Sequence, residues 1–155
     1  MKLAVVQVRG VLNINRNFKD TLKSLKLIKK NSCVLVDNTP ERIGMLARLK
    51  DYITWGEADK ETVKLLFEKR GKIVGNNPLT EKYLKDNAKA GFDEFINNFI
   101  EGKVKLKEVP GLKPFFRLTP PRGGFEREGI KKPFSLGGSL GYRGKEINNL
   151  VRKML

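Results

Sequence analysis

The stretch Leu136-Gly137-Gly138-Ser139-Leu140-Gly141-Tyr142-Arg143-Gly144-Lys145-Glu146 carries the spacing closest to a chemical motif in this chain. A loop that cradles nucleotide phosphates needs a glycine five positions before a Gly-Lys pair and a Ser or Thr after the lysine to reach magnesium. Ser139 and Glu146 stand at those positions, so the stretch does not read as a nucleoside triphosphate site. What it offers is flexible backbone amides beside Arg143 and Lys145, suited to close approach to a phosphate chain.

Other catalytic sets are scarce. The chain has no histidine, which removes Ser-His and Cys-His pairs, an imidazole base and histidine metal ligands. The single cysteine, Cys33, lies in the apolar run Cys33-Val34-Leu35-Val36. It reads as a small buried core residue in a reduced intracellular setting, and alone it cannot form a thiolate zinc site. The carboxylate pairs Asp93-Glu94 and Glu126/Glu128 read as solvated surface charges. The expectation is a protein with no catalytic residues, no cofactor, no metal and no small-molecule substrate.

Polyanion binding is the chemistry the residues do support. The formal charge is +15 on 155 residues, and it is unevenly placed. Residues 1–54 hold 11 Lys/Arg against 4 Asp/Glu, residues 55–102 hold 8 against 9, and residues 103–155 hold 13 against 4. In the last segment the cations alternate with rings: Phe115-Phe116-Arg117, Arg122-Gly123-Gly124-Phe125, Lys132-Pro133-Phe134 and Tyr142-Arg143. Phosphates pair with Arg and Lys while exposed bases stack on aromatic or guanidinium planes, so this mixture favours RNA with irregular or unpaired regions. The competing reading is that the rings anchor the segment to the protein itself. No run approaches the roughly 18 apolar residues of a membrane span, and the start, Met1-Lys2 followed by alternation, lacks the apolar core of a secretory signal. A soluble, cytoplasmic protein with no membrane partner is expected.

The elements that must position these cations are legible in the first 57 residues. Leu3 to Arg9 alternates as a strand, with Ala4, Val6 and Val8 on one side and Leu3, Val5, Gln7 and Arg9 on the other. Phe18, Leu22 and Leu25 recur at helical spacing, and Ser32 to Asp37 is a second strand. Thr39-Pro40-Glu41 opens a second helix, with threonine as N-cap, proline in the first turn and glutamate against the positive end of the dipole. A third strand, Tyr52 to Trp55, closes at Gly56. The order predicts an α+β fold: a small three-stranded, mainly antiparallel sheet with two helices on one face, a relative of the ferredoxin-like arrangement. Residues 58–102 form a helical segment, with Phe92, Phe95, Ile96, Phe99 and Ile100 as its apolar stripe and Val63, Leu66, Phe67, Tyr83 and Leu84 as its partners. Residues 103–155 are a Pro/Gly-rich basic extension ending in a helix marked by Ile147, Leu150, Val151 and Leu155. Its sparse apolar content implies folding coupled to RNA binding, and deleting residues 103–155 is expected to weaken RNA binding while leaving the first three strands folded.

Two stretches carry a family resemblance. Lys2-Leu3-Ala4-Val5-Val6-Gln7-Val8-Arg9-Gly10 and Val34-Leu35-Val36-Asp37-Asn38-Thr39-Pro40-Glu41-Arg42-Ile43-Gly44-Met45-Leu46 resemble the large-subunit ribosomal protein family numbered thirty, whose eukaryotic counterpart is numbered seven. The added Leu118-Thr119-Pro120-Pro121-Arg122-Gly123-Gly124 and Gly137-Gly138-Ser139-Leu140-Gly141 resemble its longer archaeal form. The resemblance implies a structural constituent of the large ribosomal subunit. Its partners would be the large ribosomal RNA, the 5S RNA nearby and neighbouring ribosomal proteins. It assigns Thr39-Pro40 to the fold, and Arg9, Arg42 and Arg122 to basic positions facing RNA. With the solvent-facing cations of the core and extension, the expected RNA contacts are Arg9, Arg16, Arg42, Arg48, Lys50, Lys113, Arg117, Arg122, Arg127, Lys131, Lys132, Arg143 and Lys145. The alternative function is a free-standing RNA chaperone or regulator outside the ribosome.

Overall fold

Strand β1 (Lys2–Gln7) lies at the centre of the sheet because both of its faces are apolar: Ala4 and Val6 point one way, Leu3 and Val5 the other, and all four are buried. The computed structural model describes residues 2–88 and 91–155. β1 pairs antiparallel with β2 (Ser32–Asp37) and with β3 (Ile53–Glu57), so that Val5 sits between Val34 and Trp55. Helices α1 (Arg16–Ser24) and α2 (Pro40–Arg48) cover the Leu3/Val5 face, with Leu22, Leu46 and the following Leu49 in a core shared with Ile53 and Trp55. The two helices on one face are as the pattern predicts. So is the start of α2, where Thr39 Oγ1 accepts the Arg42 amide at 3.4 Å and Pro40 is the first helical residue.

The Ala4/Val6 face is covered by the rest of the chain. Helices α3 (Lys60–Arg70), α4 (Glu81–Ala88) and α5 (Phe92–Glu101) follow, and the predicted stripe packs as expected: Phe95, Ile96 and Phe99 share a core with Val63, Leu66, Phe67 and Leu84. Phe67 is its hub, with the rings of Phe95, Phe99 and Phe116 edge-on at 5.7, 5.6 and 5.1 Å. The last helix, α6 (Ile147–Met154), adds Ile147, Leu150, Val151 and Met154 to the same core.

Among the described residues the sheet has five strands where three were expected. The extension supplies β4 (Phe116–Arg117), antiparallel to β2, and β5 (Gly141–Tyr142), parallel to β3, giving the order β4-β2-β1-β3-β5. Two-residue strands leave no alternation to detect, which is why the sequence pattern passes over them. The third strand also runs past Gly56 to Glu57. Gly56 does not end the strand; a Cβ there would lie 1.9 Å from the Gly144 carbonyl oxygen, so glycine admits the chain entering α6.

Cys33 is fully buried, and burial pushes its thiol up to about 12 despite a backbone hydrogen bond from Val5 that favours the thiolate. The neutral thiol should resist a thiolate-selective reagent at pH 8 until the chain unfolds. Labelling should therefore follow the urea transition, and rapid labelling of the native protein would contradict this burial.

Candidate nucleic-acid interface

Sheet topology brings cations from distant parts of the chain to one end of the sheet. At the end where β1 finishes, β2 and β3 begin: Val6 pairs with Cys33 and Gln7 with Ile53. Residues flanking these strand ends therefore lie side by side. Lys29 and Lys30 precede β2, Arg9 follows β1, Lys50 precedes β3, and Arg117 on β4 pairs with Ser32. Backbone bonds knit this end together, with the Asn31 amide donating to the Gln7 carbonyl at 2.8 Å, Leu118 to Asn31 at 2.9 Å and Arg9 to Tyr52 at 3.0 Å. Across these four strands, β4-β2-β1-β3, the row spans about 14 Å. Arg9 is fixed rather than free-swinging: its guanidinium lies 5.4 Å from the Tyr52 ring centre and donates to the Asp51 carbonyl at 3.2 Å. At the opposite end the nearest charges are engaged within the fold, with Asp37 paired to Lys2 and Glu57 accepting from Tyr142.

At the β4 edge the row continues into a cleft of about 620 Å³ lined by Lys69, Arg70, Lys72, Asn76, Lys113, Phe115 and Arg117, with no carboxylate among the described residues of the lining. The cleft forms because residues after α3 bond to the extension. The Val74 amide donates to Gly111 and the Lys113 amide to Lys72, both at 2.9 Å. Arg70 also donates to the Leu155 carbonyl at 2.8 Å. Like charges gathered without acids favour an external anion over mutual repulsion. Sequence reasoning missed Lys69, Arg70 and Lys72 because the near-zero charge of residues 55–102 averages this basic cluster against acids elsewhere. The run Lys69-Arg70-Gly71-Lys72 at a helix end was the available signal.

The other expected contacts divide. Lys50 and Lys131 line one cleft with Trp55, Phe134 and Tyr142 at the β5 edge. Arg16, Arg42 and Arg48 are exposed on the two helices over the Leu3/Val5 face, and Arg122, Arg127 and Lys145 are exposed on the extension. Lys132 is exposed but pairs with Glu128 at 2.7 Å.

Arg143 is corrected outright as a surface contact. Its side chain is 1% exposed and paired with Glu126, its Nε donates to Thr54 Oγ1 at 2.8 Å and its Nη2 to the Ser139 carbonyl at 2.9 Å. The guanidinium covers the Phe134 ring at 4.8 Å. Every face of the group is used within the fold. Glu126 is likewise not the solvated charge expected of it. Burial pushes its carboxyl up, but hydrogen bonds from Arg143 and Ser139 outweigh this and hold it below the ordinary glutamate value. Among the described residues no group of three or more Cys, Asp or Glu side chains could hold a metal ion, and no helix is long and apolar enough to cross a membrane.

A family model described as Ribosomal protein L30p/L7e matches residues 3–53, the span that holds β1 from Leu3 onward, β2 and the Thr39-Pro40 helix start. Similarity to full-length proteins extends across the whole chain. It is 48% identical over 149 residues to large ribosomal subunit protein uL30 of Methanopyrus kandleri, covering 96% of this chain and 100% of that protein. The chain belongs to the ribosomal protein L30p/L7e family. The family is one of structural ribosomal proteins, so this member is not an enzyme. Relatives of the same name in Methanococcus maripaludis (44% identity, all of both chains) and Nanoarchaeum equitans (45%, 98% of this chain and 97% of that one) also match beyond residue 53. The sequence of the basic extension, which forms β4, β5 and α6 here, is thus similar to that of archaeal members of the L30p/L7e family.

Proposed function

We propose that the protein is a structural constituent of the large ribosomal subunit that binds and stabilises ribosomal RNA through the cationic sheet end and its basic extension. Its place is the cytoplasm, in that subunit, beside other ribosomal proteins and close to the 5S RNA. The observation that carries this reading is the gathering of Arg9, Lys30, Lys50 and Arg117 at one sheet end, continuous with the acid-free cleft around Lys69, Lys72 and Lys113. Nothing in packing requires cations from four separate segments to be neighbours, whereas a phosphate backbone does.

Filter binding of the full chain to large-subunit RNA tests it. If six or more phosphates are neutralised, affinity should fall about a thousandfold between 50 and 200 mM salt. Lys30→Gln, Lys50→Gln and Arg117→Gln together should make the salt dependence shallower by about two to three counterions. Affinity nearly constant over that salt range contradicts the proposal. The endogenous protein should also sediment with the large subunit and crosslink to the large RNA, with crosslinks to the 5S RNA or its immediate surroundings. A pool confined to the top of the gradient would instead favour a free-standing RNA chaperone.

A further inference from the structure

Among the described residues, Tyr142 is the one aromatic side chain left largely in solvent, at 55% exposure. The other rings of the extension are occupied. Phe116 is in the core and Phe125 packs against it, while Phe115 lies under Arg117 and Phe134 under Arg143. Tyr142 is nevertheless held in place. Its hydroxyl donates to Glu57 Oε1, its ring centre lies 6.3 Å from that of Trp55, and its backbone pairs with Trp55 across the β3–β5 ladder. An exposed ring fixed from three sides is preorganised for an external face-on contact.

Beside it opens a cleft of about 350 Å³ lined by Lys50, Trp55, Lys131, Phe134, Leu140 and Tyr142. That size falls in the range of small-ligand sites. Two lysines at its margin outnumber its one carboxylate, Asp51. Lys50 also belongs to the cationic sheet end, so a phosphate chain following that end arrives at this cleft.

We propose that this cleft receives one unpaired RNA nucleotide, its base stacked on Tyr142 and its adjoining phosphates held by Lys50 and Lys131. The inference rests on the RNA-binding reading above and narrows it to an extruded base at a named ring. Stacking on a single ring tolerates any base, so the site selects for an unpaired nucleotide rather than for a sequence. A protein side chain in the same place would leave both lysines without a phosphate, which is why RNA is the favoured occupant.

Trp55 is the single tryptophan of the chain and lines the cleft, so its fluorescence reports occupancy. The full-length protein is titrated with a single-stranded RNA of about twelve nucleotides and with an abasic oligomer of the same length and charge. The RNA is expected to quench Trp55 and to bind on the order of tenfold more tightly than the abasic chain, the scale of one stacked base. Tyr142→Ala should remove that advantage and leave abasic binding unchanged, while Tyr142→Phe should keep most of it. Lys50→Gln with Lys131→Gln should weaken both probes. Equal affinity for the two probes, or an undiminished advantage in Tyr142→Ala, overturns the proposal, as does a crosslink from position 142 to protein rather than RNA in the assembled subunit. Filter binding to large-subunit RNA in the same buffer separates the failures. If the wild type holds that RNA but shows no base-dependent advantage, only the stacking site is wrong; if it holds neither, the ribosomal reading fails with it.

Discussion

A chain ended at residue 102 is expected to lose its cooperative unfolding transition. Residues beyond 102 place nine apolar side chains, from Leu106 to Met154, in the core on the Ala4/Val6 face. The apolar surface that these side chains cover returns to water in the shortened chain at about 25 cal/mol per Å², and only about 5–15 kcal/mol holds an ordinary domain together. Phe67 would lose the edge-on ring of Phe116 at 5.1 Å, and the apolar surface of α3 against α6 would open to solvent. The measurement is urea unfolding followed by Trp55 fluorescence and far-ultraviolet circular dichroism. A sigmoidal, coincident transition in the shortened chain would show that the first three strands and their two helices stand alone. Sparse apolar content made folding of the extension look coupled to RNA binding, but those few apolar residues are concentrated at buried positions of the core.

The second large effect is expected at Glu126. Changing it to Gln leaves the Arg143 guanidinium buried with its charge uncompensated, and breaking a buried pair from one side costs about 3–5 kcal/mol. The 27% exposure of the Glu126 side chain lets water enter, which puts the expected loss at about 2–3 kcal/mol, within reach of chemical denaturation. Replacing both partners, as in Arg143→Met with Glu126→Gln, should recover part of it, because no charge is then stranded. The same carboxylate sets a pH dependence. Its folded value lies below its unfolded one, so its contribution is full above the ordinary glutamate range near pH ~4.3 and is lost as pH falls through the lower folded value. The thermal midpoint of the wild type should therefore drop more steeply than that of Glu126→Gln on acidification below that range. Parallel curves would mean that the pair carries no net stability.

Arg143 also shows where sequence reading reached its limit. The alternation of β1, the Thr39-Pro40 helix start and the Phe92–Ile100 stripe are periodic over many residues, and each formed the element expected of it. Arg143 belongs to a run, Tyr142-Arg143-Gly144-Lys145, that looks the same as the other cation–ring pairs of the extension. Its inward orientation follows from the parallel pairing of β5 with β3, where Trp55 meets Tyr142 from far along the chain. Nothing local encodes that pairing. The cleft around Lys69, Lys72 and Lys113 was hidden for a related reason: segment charge sums describe the chain, whereas an anion meets the surface. The cationic row at the sheet end was half legible, since Arg9, Lys50 and Arg117 were named individually while their adjacency required the strand order.

The two shortest strands have a consequence for how the protein is made. Until Phe116 and Tyr142 emerge, β2 and β3 are the outer strands of a three-stranded sheet with unpaired backbone groups along both sides. Such open sides are templates for pairing with other chains, and short terminal strands are one way proteins close them. Tyr142 follows Glu57 by 85 residues, so at roughly 5–20 residues per second the nascent sheet stays open on that side for about 4–17 s. The extension therefore acts as a late closure that ends the sheet's vulnerability to self-association only once residue 142 has been made.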